Sequence, residues 1–178
     1  MKKLVLFALS LATAVASYGQ GAFIWNNIGG GTVTAVGGPL AGDFVGGEFT
    51  AHLYWAVGNV VDPNALSLFA GANTTFFGNT IGGDPNGDGA GQFDFGAPTL
   101  PTTPQLVTVQ VRVDGVGNPY STYHGSSTLY QVLLVDPNST TPLNTVNSAA
   151  FTVVAPEPGT MALAGLGAAA LLFIRRRK

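Results

Sequence analysis

The sequence predicts an all-β domain, and three observations carry that prediction. Between Gly21 and Val154 the chain is rich in Gly, Asn, Thr, Pro and aromatic residues and poor in charge. No long window places apolar residues at helical spacing, and two segments alternate apolar and polar residues with the period of two that a half-buried strand requires. About seven short strands separated by turn signals suggest a single β-sandwich-like domain.

Met1 to Gly19 reads as a secretory signal peptide. Lys2 and Lys3 form the charged start, Leu4 to Val15 the apolar core, and small residues follow, with cleavage after Ala16 or after Gly19. The body spans 21–154. Ala22 to Asn26 is the first strand, with Phe23 and Trp25 alternating against smaller neighbours. Gly29, Gly30 and Gly31 turn the chain, and Thr32 to Val36 is expected to pair with that strand. Glu48 to Val57 is clearer, with Phe49, Ala51, Leu53, Trp55 and Val57 on one face and Thr50, His52, Tyr54 and Ala56 on the other. Asp62-Pro63-Asn64 is a turn. Ala65 to Ala70 is a helical turn or a short strand, and Phe76 and Phe77 lead into a Gly- and Asp-rich loop, Gly78 to Gly91. Leu106 to Val113 puts Val107, Val109, Val111 and Val113 on one face, and a polar loop then runs to Ser127. Thr128 to Val135 is apolar on both faces, as a central strand is. Asp136-Pro137-Asn138 turns it, and Ala149 to Val154 closes the domain.

Residues 155–178 differ from all of this. Pro156, Glu157 and Pro158 precede an apolar run from Met161 to Ile174, interrupted only by Gly165 and Gly167, and four cations follow, Arg175, Arg176, Arg177 and Lys178. The two prolines lack backbone donors and hold their neighbours extended, as a segment lying in a protease cleft must be. As a helix, Gly159 to Ile174 reaches ~24 Å, short of a ~30 Å hydrocarbon core. A marginal transmembrane helix of this kind suits a temporary anchor. The terminal cations act as a stop-transfer signal and place that end in the cytoplasm. In these residues the chain resembles the PEP-CTERM family of exported bacterial proteins. The resemblance implies processing by an exosortase near the Pro-Glu-Pro triplet, after export through the Sec machinery and signal peptidase. The body is also similar to small proteins of that family of planctomycete and verrucomicrobial type, in its Gln20-Gly21 start, its Trp25-Asn26-Asn27 strand and its Val109-Gln110-Val111-Arg112 strand. No activity comes with that similarity.

Charge narrows the function classes. The chain has seven Lys and Arg against nine Asp and Glu, but Lys2, Lys3, Arg175, Arg176, Arg177, Lys178 and Glu157 all lie in the terminal segments. The body keeps eight carboxylates against Arg112 alone, a net of about −7. Nucleic acid is excluded as a partner, because binding its phosphates takes a basic surface. With no cysteine, disulfide frameworks and thiolate chemistry are excluded as well.

Three groups of side chains are candidates for chemistry. Asp84, Asn86 and Asp88, followed by Gly89, place oxygen ligands at alternate positions like the first half of a calcium loop. The twelfth position is Phe95 rather than Glu, with Asp94 beside it, so any calcium is bound weakly. Calcium is the only cofactor expected. Tyr120 and Tyr123 lie in a loop and could stack on sugar rings of an extracellular polysaccharide. His52 is expected on an exposed strand face and His124 in a loop. No carboxylate lies at a sequence spacing that orients either one, and the chain is read as a non-enzyme. The expected role is a structural or adhesive one in the cell envelope or extracellular matrix, with a carbohydrate-binding module as the alternative.

Overall fold

In the computed structural model, which describes residues 20–155, eleven strands follow one another: β1 (Gly21–Ala22), β2 (Ile24–Asn26), β3 (Val33–Val36), β4 (Phe49–Val57), β5 (Ser67–Thr75), β6 (Thr99–Leu100), β7 (Leu106–Gly115), β8 (His124–Ser126), β9 (Tyr130–Leu133), β10 (Thr145–Asn147) and β11 (Phe151–Val154). Single turns of 3-10 helix at Gly38–Leu40, Pro63–Ala65 and Tyr120–Thr122 interrupt the loops. The described body is therefore all-β. Its hydrogen bonds form one seven-stranded sheet in the order β3-β11-β8-β7-β4-β5, with β9 also on β7, and two ladders of two strands, β1-β6 and β10-β2. Among the described residues no helix is long and apolar enough to cross a membrane. The signal helix expected at 1–19 and the transmembrane helix expected after Gly159 lie outside the described residues.

The two long alternating segments organise the sheet. β4 and β7 pair antiparallel without interruption from Phe49 opposite Gly115 to Val57 opposite Val107. One face of the pair, Phe49, Ala51 and Leu53 with Val107, Val109, Val111 and Val113, is buried in the core. Both ladders contribute to that same core through Phe23, Trp25, Leu100 and Val146. Trp25 is fully buried, with its indole N–H donating to Ser148 Oγ at 2.7 Å, which satisfies the one polar atom that such a side chain brings inside. Asn27 is another buried polar anchor. Its Nδ2 donates to Gly31 O and Gly91 O, both at 2.8 Å, and its Oδ1 accepts from Phe93 N at 2.6 Å. One carboxamide thus joins its own turn to the segment 91–93.

Several elements differ from the sequence expectation, each for a tertiary reason. β3 does not pair with the first strand. It runs parallel to β11, Val33 opposite Phe151 through Val36 opposite Val154, so the two ends of the body meet in one sheet. The segment after Pro63 becomes a strand running as far as Thr75. Asn73 faces His52 and Leu68 faces Tyr54, so Phe69 to Ala72 form a bulge opposite Leu53. Thr128 to Val135 does not supply a central strand, since β9 pairs only with β7 and its Leu133 is 56% exposed. The polar loop before Ser127 conceals β8, which is paired on both sides, with β7 and β11.

Candidate functional site

The face of β7 opposite the core presents Thr108, Gln110, Arg112 and Asp114. The loop that follows β4 folds back over this row. Thr108 Oγ1 donates to Gly58 O at 2.7 Å and accepts from Val60 N at 2.9 Å, and Arg112 Nη2 donates to Pro63 O. Asp62 positions that loop by capping its short turn, accepting from Asn64 N at 2.9 Å. Gln110 is buried. Its Nε2 donates to Ser127 O at 2.9 Å while its Oε1 accepts from Arg112 Nε at 3.1 Å. The guanidinium carbon of Arg112 lies 4.0 Å from the centroid of the Tyr54 ring, a cation–π contact. Arg112, the body's one Lys or Arg, is thereby held on three sides.

Strand pairing completes the cluster. Asp114 on β7 stands directly opposite His124 on β8, while His52 on β4 is opposite Arg112. Asp114 Oδ1 is 2.6 Å from His124 Nδ1, and Asp114 Oδ2 is 3.8 Å from His52 Nε2. An ionised carboxylate carries no proton, so the close contact places a hydrogen on Nδ1 of His124. Together Tyr54, Pro63, Asn64, Gln110, Arg112, Asp114, His124, Gly125 and Ser126 line an open groove of about 470 Å³. It offers donors and acceptors side by side. Although His124 is oriented as a base would be, no hydroxyl is hydrogen-bonded to its Nε2 among the described residues. No carboxylate lies at a spacing along the chain that orients either histidine. Asp114 meets both, because antiparallel register sets aside sequence distance.

The residues singled out from the sequence fare differently. Tyr123 is fully buried, its hydroxyl donating to Gly37 O at 2.8 Å and accepting from Leu40 N at 3.0 Å. Tyr120 is half-buried, edge-on to Phe49 at 5.7 Å. Both rings pack at one end of the core, and Tyr123, being fully buried, presents no stacking face to a ligand. The carboxylates of the candidate calcium loop bond the backbone instead of standing free. Asp88 turns its carboxylate back onto the chain, accepting from Asn79 N at 3.1 Å, Ala90 N at 3.0 Å and Asp84 N at 2.9 Å. These backbone donors, Asn79 foremost, hold its carboxyl below the ordinary range. Asp84 Oδ1 accepts from Asn86 N and Asp94 Oδ1 from Gly96 N, so each makes its own turn. Among the described residues no three His, Asp or Glu side chains gather to hold a metal ion.

The second functional element is the tail. Residues 154–178 match the family described as the PEP-CTERM protein-sorting motif. The chain carries a PEP-CTERM sorting signal. A signal of this kind marks an exported protein that an exosortase processes. Pro156, Glu157, Pro158 and the cations Arg175, Arg176, Arg177 and Lys178 fall within the match but outside the described residues. The start of the PEP-CTERM match is described: Val154 ends β11, and Ala155 is buried with its N–H donating to Val36 O at 3.2 Å. No curated protein and no solved structure matches the chain.

Proposed function

We propose that this is an exosortase-processed protein of the cell envelope or extracellular matrix, with a mature body that is structural or adhesive and acts without catalysis. The observation that carries the reading is the sorting-motif match at 154–178. Its junction with the body supports it, because β11, the last described strand, ends at Val154 and a cut at the triplet leaves it whole. The signal-peptide pattern of Met1–Gly19 and the cations at 175–178 agree in leaving the body outside the membrane. The ladders joined to the inner face of the large sheet support a sandwich-like description of that body. Intact-mass measurement of protein recovered from the surface or medium of its own host tests the proposal. The expected species begins after Ala16 or Gly19 and ends close to Pro156–Pro158. A stable species with the tail intact, in a host that has the protease, would overturn it.

A second reading is carbohydrate binding, favoured by the groove on the outer face. Arg112 offers donors, Asp114 offers acceptors, and Asn64 and Ser126 offer both, a set that matches the adjacent hydroxyls of a polysaccharide. The body's net charge of about −7 favours a neutral polymer over an acidic one. A glycan array probed with the mature protein tests this reading. Binding that is lost in Asp114→Asn supports recognition at the groove, and silence across the array leaves the structural role.

A further inference from the structure

We infer that, while the tail is uncut, one end of the body lies directly on the lipid surface, through the loops 37–42 and 116–122. This rests on the reading of the tail as a membrane anchor. Ala155, the last described residue, is buried and tied to Val36, so the body is packed right up to the triplet. Only Pro156, Glu157 and Pro158 separate it from Gly159, where the apolar helix is read to begin. From Ala155 to Gly159 is four residue steps, at most about 14 Å when fully extended, of which the headgroup layer takes roughly 5–8 Å. A span of ~24 Å in a ~30 Å core draws the junction further inward.

The two loops nearest Ala155 suit that position. β11 and β3 run parallel, so both end beside the tail, and residues 37–42 follow β3 immediately. Residues 116–122 lead into β8, whose His124 is opposite Val154. The Tyr123 hydroxyl bonds Gly37 and Leu40, which fixes one loop to the other. Gly38 has φ of +63°, and a Cβ there would lie 2.5 Å from that hydroxyl, so the turn requires glycine at this position. Neither loop contains a charged residue, although the body has eight carboxylates. Val116 is 61% exposed, and Val36 and Val154 at the adjoining strand ends are 45% and 49% exposed. Uncharged loops with exposed valines meet a headgroup layer without the repulsion that the rest of the body would bring.

The absence of native cysteine allows single labels. Val116→Cys marks the inferred contact. Leu133→Cys marks the other end of the sheet, opposite Leu106 and about 30 Å along β7 from Gly115. The signal-processed chain with its tail uncut is placed in phosphatidylcholine vesicles containing an acceptor-labelled lipid, and energy transfer from each label is measured. Transfer is expected to be several-fold stronger from position 116, and a ten-residue Gly-Ser spacer inserted between Ala155 and Pro156 is expected to remove most of the difference. Equal transfer from both labels in the unspaced chain, or no effect of the spacer, overturns the inference while leaving the anchor reading intact. Extraction of the chain from the vesicles by alkaline carbonate overturns both.

Discussion

The loop from Gly78 to Gly91 and the groove on the outer face of β7 hold three of the body's eight carboxylates, Asp84, Asp88 and Asp114, and they direct them differently. In the loop, Asp88 is exposed yet folds its carboxylate onto the chain, accepting from the amides of Asn79, Asp84 and Ala90. In the groove, Asp114 and Arg112 stand beside His52, His124 and Tyr54 around an open concavity. The loop resembles a ligand site in sequence and is a self-contained turn. The groove resembles nothing in sequence and is the more site-like of the two. Spacing along a chain reports local geometry well, but ligand-facing clusters on a sheet form across strands.

That contrast can be broken or sharpened by experiment. The largest effect is expected at Tyr123, which shares with the loop the property of looking functional while being structural. Tyr123→Ala should cost about 3–5 kcal/mol, read as a lower urea midpoint. Tyr123→Phe keeps the ring but leaves Gly37 O and Leu40 N unpaired, and should cost about 1–3 kcal/mol. In the groove, Arg112→Ala should change stability by less than about 1 kcal/mol, since part-exposed charged contacts contribute little, while abolishing any glycan binding. If that variant unfolds instead, the groove is a structural element like the loop.

Acid should separate the two regions more finely. The Asp88 carboxyl titrates below its ordinary range, so its contribution to the loop is complete above the usual carboxylate value of about 3.9 and is lost as pH falls through the depressed folded value. Amide shifts of Asn79, Asp84 and Ala90 should follow that titration below about pH 4, with no such step in Asp88→Asn. The smallest effect should come from calcium. A melting temperature unchanged by millimolar calcium or by chelator is expected from a carboxylate already bonded to its own backbone, and a clear rise would restore the loop as a cation site.

Much of the fold was legible because period-two alternation is written into β4 and β7, and burial acts on it directly. Glu48 to Val57 and Leu106 to Val113 became the paired strands at the centre of the sheet. β8, β10 and the parallel pairing of β3 with β11 were not legible. His124–Ser126 and Thr145–Asn147 are three-residue strands, too short for any periodicity, and are held by neighbours distant in sequence.

The sequence by itself determined the all-β class, the exclusion of a basic or thiol-based site, and the sorting signal at 154–178, because composition, alternation and a linear processing motif are properties of the chain read in order. Tertiary structure alone decided that Tyr123 belongs to the core, that Asp88 faces its own backbone, and that Arg112, Asp114, His52 and His124 share one face. Those outcomes depend on which strands lie side by side and in which register, and pairing energy is shared among residues far apart in sequence.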